Sequence, residues 1–186
     1  NLDAVDSPAF VVYPDRVREN VRRAVAAVPD ASLLRPHVKT NKTAEVSRIL
    51  MEEGGTKFKC ATIAEAEMRG LIGAEHVLLA YQPVGPKVAR LVELVSRYPR
   101  TKFSCLVDHA DAAQEISRAF AHAERPINVF IDLNVGMNRT GVAPEDALPL
   151  YLLCDSLPGI RPVGLHAYDG HIRDSDAARR KEVCDA

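Results

Sequence analysis

Six short apolar runs alternate with segments of helical character, and this alternation limits the possible folds more than any other feature of the chain. The runs are rich in β-branched residues, and each is followed by helix-start signals and amphipathic spacing: SLLRPHVK, KFKCAT, HVLLAY, KFSCLVD, INVFIDLNV and RPVGLHAY. Strands that alternate with helices so regularly predict βαβ units around a parallel sheet.

The spacing of the runs favours a barrel over a doubly wound sheet. Successive runs begin about 25 residues apart, close to the repeat of a (β/α)8 barrel of ~250 residues. The fingerprint G-x-G-x-x-G of a doubly wound nucleotide-binding sheet follows none of them. We predict an α/β fold, a TIM-type barrel that is incomplete at about six strands, forming one domain over residues 1–186. The final segment, DSDAARRKEVCDA, opens a helix that no strand follows, so we expect the front part of a longer protein.

Local signals predict several helix ends. Thr62 begins a capping box in TIAEAEMRGL, Pro86 and Pro144 stand where a first helical turn would begin, and Gly54 is typical of a helix end. Ahead of the repeats, PAFVVY predicts a short strand. The helix predicted after it carries one apolar stripe, formed by Val17, Val21, Val25 and Val28.

Composition and charge limit the binding partners and the cellular compartment that we expect. With 47% hydrophobic residues, 26% charged residues and a formal net charge of -1, the chain gives no reason to expect nucleic acid or a membrane as partner. No run is long enough to span a bilayer and the start lacks a signal-peptide layout, so we expect a cytoplasmic protein. The cysteines are scattered, which predicts free buried thiols at Cys60, Cys105, Cys154 and Cys184.

Polar side chains on three predicted strands face the barrel interior. Because successive side chains of a strand point to opposite faces, Leu34, Pro36 and Val38 would face outward toward the helices. The same alternation sends Val129, Ile131, Leu133, Val163, Leu165 and Ala167 outward. The inward set is then Arg35, His37, Lys39, Asp132, Asn134, His166 and Tyr168. Burying such charges alone is costly, so we expect them to pair with one another or with a ligand.

Lys39 is the most reactive member of this set. An inward amine among cations and low-dielectric walls is suited to form a Schiff base, either with a carbonyl cofactor such as pyridoxal phosphate or with a carbonyl substrate. A structural ion pair of Lys39 with Asp132 or another acid is the alternative.

Three ordered motifs carry a family resemblance. RPHVKTNK resembles the R-P-H-x-K-T-x-K signature of the D-threonine aldolase and D-serine dehydratase group, which has the alanine racemase N-terminal fold. IDLNVGMNRTGV and GLHAYDGH are similar to the second and third signatures of that group, in the same order. The resemblance implies a fold type III pyridoxal phosphate enzyme with a further C-terminal β domain, assembled as a homodimer.

The resemblance also implies the site residues. Lys39 matches the catalytic lysine that carries the cofactor and later acts as a base, and His37 would orient that region or be an interior histidine with satisfied hydrogen bonds. Arg139 matches an arginine near the cofactor, with a loop arginine that holds the barrel rim as the alternative. Tyr168 lies where relatives place a flat side chain against the pyridine ring, with a core tyrosine as the alternative.

Metal ligands are not predicted within this chain. His166, Asp169 and His171 fit no standard zinc spacing, so we favour structural or substrate-contact roles for them. Relatives of the aldolase and dehydratase type use a divalent metal (Mn, Zn or Mg), and the resemblance implies ligands in the later β domain.

The predicted activity is a pyridoxal phosphate-dependent lyase that cleaves D-3-hydroxy amino acids to glycine and an aldehyde. D-serine dehydratase-type elimination and amino acid racemisation are alternatives within the family. A non-catalytic pyridoxal phosphate-binding protein of cofactor homeostasis also stays open, as does a cofactor-free Schiff-base aldolase acting on a sugar phosphate.

Overall fold

The computed structural model describes residues 2–185, which contain five strands and seven α-helices together with four short 3-10 helices. The strands are β1 Lys57–Cys60, β2 His76–Leu79, β3 Lys102–Val107, β4 Ile127–Leu133 and β5 Ile160–Ala167. The α-helices are α1 Pro14–Ala26, α2 Ala44–Glu52, α3 Ile63–Leu71, α4 Pro86–Arg97, α5 Ala110–His122, α6 Ala147–Ser156 and α7 Ala177–Asp185. The 3-10 helices are Leu2–Ala4, Ala31–Leu33, Val38–Thr40 and Pro144–Asp146.

The strands form one parallel sheet in chain order, β1-β2-β3-β4-β5, with a helix between each pair of neighbours. This arrangement is a segment of a TIM-like barrel, and it confirms the predicted α/β barrel class. Because all strands are parallel, their carboxyl ends lie at the same end of the sheet. We call this end the mouth.

The strand predicted for SLLRPHVK is not formed within the described chain. Only His37 pairs there, in a single parallel bridge to Lys59, and the Pro36 carbonyl accepts a hydrogen bond from the Lys59 N–H at 2.9 Å. Pro36 has no N–H to donate, and the 3-10 helix Val38–Thr40 turns the chain away at once. The sheet therefore has five strands, and the prediction of about six was wrong by one.

The short strand predicted for PAFVVY is also not formed in the described part of the chain, where residues 9–13 have irregular backbone. Phe10 is 71% exposed. The predicted helix does follow as α1, with Val21 buried and the other valines of its stripe partly covered.

The core lies between the sheet and its helices. Val129 and Ile131 on the outward face of β4 are fully buried, in the same cluster as Phe58, Ile116 and Phe120. Outward side chains of β5 differ, because Val163 and Leu165 are 48% and 59% exposed. The parity predicted for β5 is confirmed, but the helix cover expected for its outward face is missing from the described residues, where α7 is exposed.

The predicted helix ends are confirmed. The Thr62 hydroxyl accepts a hydrogen bond from the Glu65 N–H at 3.1 Å, and the Glu65 carboxylate accepts one from the Ala61 N–H at 2.8 Å. The glycine at position 54, with φ +95°, follows α2 directly. Pro86 is the first residue of α4, and Pro144 opens the 3-10 helix that leads into α6.

The cysteines are free, and three of them are buried as predicted. Burial raises the pKa of Cys60 and of Cys105 to about 12, and that of Cys154 to about 11. Cys184 is exposed on α7, so the prediction of burial was wrong there. Among residues 2–185, no helix is both long and apolar enough to cross a membrane.

Candidate active site at the carboxyl ends of the strands

A hydrogen-bonded chain of three side chains connects opposite edges of the sheet at the mouth. Asp132 and His166 are register partners on β4 and β5, and Asp132 is 4% exposed. The His166 Nδ1 lies 2.5 Å from the Asp132 Oδ1, and the His166 Nε2 lies 2.6 Å from the Lys59 Nζ. Lys59 belongs to β1, the other edge strand. The sheet is thus curved enough for its two edges to share one cluster.

The partners of His166 fix its tautomer. The Asp132 carboxylate can only accept, so we assign the proton to Nδ1, which donates to Asp132. The Nε2 then accepts a hydrogen bond from Lys59. Burial lowers the pKa of Lys59; the charge of Asp132 opposes this shift, and the charges of Lys39 and Arg139 add to it.

Lys39 and His37 lie on the turn beside β1. The prediction that a strand points Lys39 inward was wrong, because Lys39 is in the 3-10 helix Val38–Thr40, with its side chain exposed. Its backbone N–H donates to the His37 Nδ1 at 3.3 Å. Burial, reinforced by the charges of Lys39 and Lys59, lowers the pKa of His37 to about 4. His37 is therefore a neutral acceptor at neutral pH.

Two cations lie over the ring of Tyr168, just after β5. The Arg139 guanidinium is 5.2 Å from the ring centroid, and the Lys59 ammonium is 5.6 Å from it. Both distances are in the range of cation–π attraction. Tyr168 is 37% exposed, so it is a surface of the mouth and not a core tyrosine.

The loop that carries Arg139 is fixed by hydrogen bonds at both ends. The Asn134 side chain accepts from the Asn138 N–H at 3.0 Å, and the Asp108 carboxylate accepts from the Gly141 N–H at 2.9 Å. Gly141 has φ +101°, and a Cβ there would lie 2.4 Å from the Leu133 carbonyl carbon. Only glycine allows this close return of the loop to the end of β4.

Arg35 carries a buried polar atom without a partner. Its guanidinium lies 5.9 Å from the Phe130 ring centroid, and burial lowers its pKa. Its Nη1 is buried and has no hydrogen-bond partner among the described residues. An unsatisfied buried donor of this kind favours an anionic or oxygen-bearing ligand nearby.

Most of the predicted inward residues are thus brought to the mouth, whereas Arg35 lies against Phe130 and acts on His76, the first residue of β2. Within the described part of the chain, Lys39 forms no ion pair with an acid. Asp132 pairs with His166 instead of Lys39. Among residues 2–185, no three His, Cys, Asp or Glu side chains are placed to hold a metal ion. The roles of Lys39, His37, Arg139 and Tyr168 toward a cofactor remain predictions.

Lys59 was missed by the sequence interpretation. The strand parity that placed Asp132 and His166 inward also applies to KFKC, where buried Phe58 and Cys60 alternate with Lys57 and Lys59. That alternation is the signal that could have identified Lys59.

Comparison with known proteins shows what the chain is similar to. The D-threonine aldolase of Arthrobacter sp. is 31% identical over 188 residues, which cover 98% of this chain and 48% of the relative. The D-threo-3-hydroxyaspartate dehydratase of Delftia sp. (strain HT23) is 28% identical over 92% of this chain and 42% of the relative. The crystal structure of D-threonine aldolase from Filomicrobium marinum superposes with a TM-score of 0.88 at 28% identity, covering 97% of this chain and 49% of that one.

The chain spans about half the length of these relatives. The family model of the alanine racemase N-terminal domain matches residues 12–184. The chain therefore belongs to the alanine racemase N-terminal domain family, within the fold type III pyridoxal phosphate enzymes that its three motifs resemble.

Proposed function

We propose that this chain is the cofactor-binding barrel of a pyridoxal phosphate-dependent lyase that cleaves D-3-hydroxy amino acids to glycine and an aldehyde. The observation that carries the proposal is the mouth itself, where the charges of Lys39 and Arg139 act on Lys59 and the exposed Tyr168 ring lies under Arg139, in a chain 31% identical to a D-threonine aldolase. The proposal includes a homodimer in the cytoplasm, and a divalent metal bound through residues outside this chain.

The residues at the mouth fit the cofactor. Pyridoxal phosphate is an anion with an aldehyde and a flat ring, so it needs an amine, cationic donors and a stacking surface. Lys39 supplies an accessible amine, and Tyr168 supplies an exposed ring face. Arg139 supplies a guanidinium over that ring.

Lys39, His37 and Arg139 would each have a separate role toward the cofactor and the substrate. When bound, the cofactor supplies an electron sink for a bond at the substrate α-carbon. Lys39 would hold the cofactor through its Nζ and then, once the substrate amine has displaced it, take up or return a proton as a free amine. Neutral His37 accepts the Lys39 N–H and so fixes the turn that presents the amine. Arg139 would donate to a ring or substrate oxygen.

A dehydratase is the second candidate. It is favoured by the 28% identity to the Delftia dehydratase, whose name gives a D-3-hydroxy amino acid as substrate. Both candidates share a substrate class and the residues of this chain, so the fate of the Cα–Cβ bond distinguishes them.

The first test is attachment of the cofactor to the full-length protein. We expect a visible absorbance band with added pyridoxal phosphate and, after borohydride reduction, a mass adduct on the Lys39 peptide. Lys59→Ala is the matched control and should keep the adduct, whereas Lys39→Ala should lose it. An adduct on Lys59 would reverse the roles of the two lysines, and absence of any band would contradict the cofactor.

The second test is product analysis with D-threonine. Glycine and acetaldehyde identify the aldolase, 2-oxobutanoate and ammonia identify the dehydratase, and a changed enantiomer identifies a racemase. A protein that binds the cofactor but forms none of these products would support the non-catalytic alternative.

A further inference from the structure

Hydrogen bonds hold the Lys59 side chain in place at the mouth, yet the proposed function gives Lys59 no role. It is half-buried on the regular strand β1, and its Nζ lies 2.6 Å from the His166 Nε2. His166 is itself held by buried Asp132 at 2.5 Å. A side chain fixed by two successive hydrogen bonds is suited to position a ligand.

The Lys59 ammonium has more N–H donors than the described residues accept. A lysine ammonium has three N–H donors and no acceptor. One donates to the His166 Nε2, and the ammonium lies 5.6 Å from the Tyr168 ring centroid. No other hydrogen bond of the Lys59 ammonium is formed with the residues that the structure describes. At least one donor is therefore available to a ligand in the mouth.

The charges around Lys59 favour a ligand with negative charge. Burial is the largest cause that lowers the pKa of Lys59; of the charges that act on it most strongly, Asp132 raises this pKa and Lys39, Arg139 and Arg35 lower it. Asp132 is already engaged with His166. Cations thus outnumber carboxylates among these charges, and an oxyanion would relieve the mutual repulsion of the cations.

We propose that Lys59 is an oxyanion anchor of the mouth, positioned by His166 and Asp132, and that the oxyanion it binds is the α-carboxylate of the amino acid substrate. The inference rests on the proposed function, because it takes Lys39 as the amine that the substrate replaces. Lys39 lies two residues after His37, the bridge partner of Lys59, and its charge acts on the Lys59 ammonium. A carboxylate two bonds from the substrate nitrogen would therefore lie in the neighbourhood of Lys59. An oxygen of the cofactor is the other source of the same chemistry.

The experiment compares Lys59→Gln with Lys57→Gln in the full-length, cofactor-loaded protein. Lys57 lies two residues earlier on the same strand, so it is a matched loss of one lysine charge from β1. Dissociation constants for D-threonine and for D-threonine amide are measured from the absorbance change of the bound cofactor. Affinity for the cofactor itself is measured by calorimetry, which does not depend on turnover.

We expect wild type and Lys57→Gln to prefer the carboxylate over the amide by roughly 10–100-fold, the size of one charge-assisted hydrogen bond. Lys59→Gln should reduce this preference to about 3-fold or less, with cofactor affinity unchanged. Lys59→Arg keeps the charge and the N–H donors, so this variant should retain most of the preference for the carboxylate. It still tests the proposal if Lys59→Gln folds poorly.

Three results would overturn the inference. Cofactor affinity that falls in Lys59→Gln while the carboxylate preference survives would assign Lys59 to a cofactor oxygen. A preference equal in all variants would leave Lys59 without an anchoring role. If the wild-type protein binds no cofactor, both the proposed function and the inference are contradicted. This result is distinct from the first two because it is seen with the wild-type protein alone.

Discussion

Two successive units of the chain each bring a lysine to the mouth, and they are built differently. The first unit is the turn with Lys39 followed by α2, and the second is β1 with Lys59 followed by α3. Lys39 lies on a 3-10 turn joined to the sheet by one bridge, whereas Lys59 lies on a regular strand. Lys39 is exposed and Lys59 is half-buried.

The N-terminal caps of the two helices also differ, and the cap is better formed in the second unit. Thr62 caps α3 with a hydrogen bond from the Glu65 N–H. Thr43 occupies the same position before α2, but in the described chain its hydroxyl makes no cap and is buried without a partner. The contrast agrees with the two proposed roles: the loosely paired turn would present the Lys39 amine for reaction, and the regular strand would hold the Lys59 charge in place.

The largest expected effect is a loss of turnover when the Lys39 amine is removed. Lys39→Gln removes the amine that the proposal assigns to attachment and proton transfer, so turnover of the cofactor-loaded protein should fall by about 10³-fold or more. Lys87→Gln, at an exposed lysine near the start of α4, should change turnover by less than about 3-fold. Steady-state kinetics with D-threonine makes the comparison, and equal losses in both variants would remove the special role of Lys39.

The next effect tests the rigidity of the second unit. Phe58 on β1 is fully buried, so Phe58→Ala should lower the free energy of unfolding by about 3–5 kcal/mol through lost burial and a cavity. Leu71→Ala at the exposed end of α3 is the control, with an expected change within about 0.5 kcal/mol. Urea unfolding measures both, and a small loss for Phe58→Ala would mean that β1 is not a rigid support.

An intermediate effect concerns the support of Lys59. In Asp132→Asn the amide can present an N–H to His166, which favours the other tautomer and turns the Nε2 into a donor facing the Lys59 ammonium. The KM for D-threonine should rise roughly 10-fold, since a hydrogen bond to a charged group is lost. Asp155→Asn, at an exposed position of α6, provides the comparison and should leave KM unchanged. A fall in kcat without a change in KM would argue against an anchoring role.

The helix caps give a smaller, paired effect. Thr62→Ala removes the hydrogen bond to the Glu65 N–H and should lower the free energy of unfolding by about 1 kcal/mol. Thr43→Ala removes a hydroxyl without a partner in the described chain, so its effect should be close to zero or slightly stabilising. Equal costs for the two substitutions would contradict the difference between the units.

A separate effect is the pH dependence of stability that His37 contributes. Its pKa is lowered from 6.5 to about 4 in the folded protein, so between these values the unfolded chain binds a proton that the folded chain does not. This contribution is therefore present above pH 6.5 and is lost as the pH falls from 6.5 toward 4. His37→Asn keeps an acceptor for the Lys39 N–H and should reduce the acid loss, as measured by urea unfolding at about pH 7.5 and about pH 4.5. The same acid loss in both proteins would contradict a neutral His37.

Much of the fold followed from the sequence because local rules decide it. Strand alternation placed Val129 and Ile131 in the core and Asp132 in the interior, since β4 pairs with a strand on each side. The capping box at Thr62 and the proline at 86 marked helix ends through contacts within one turn. The motifs RPHVKTNK and GLHAYDGH identified the family before any geometry was known.

The remaining features depended on tertiary structure. Alternation failed at Lys39 because it holds only while pairing continues, and a proline without an N–H followed by a 3-10 turn ended the pairing at His37. The chain Lys59–His166–Asp132 joins residues 107 and 34 positions apart, and it needs the curvature that brings β1 to β5. The sequence by itself determined the family, the parallel order and the inward residues of β4 and β5, because these follow from periodicity and short-range contacts. Only the tertiary structure decided which charges meet at the mouth, because sheet curvature and strand register set those distances.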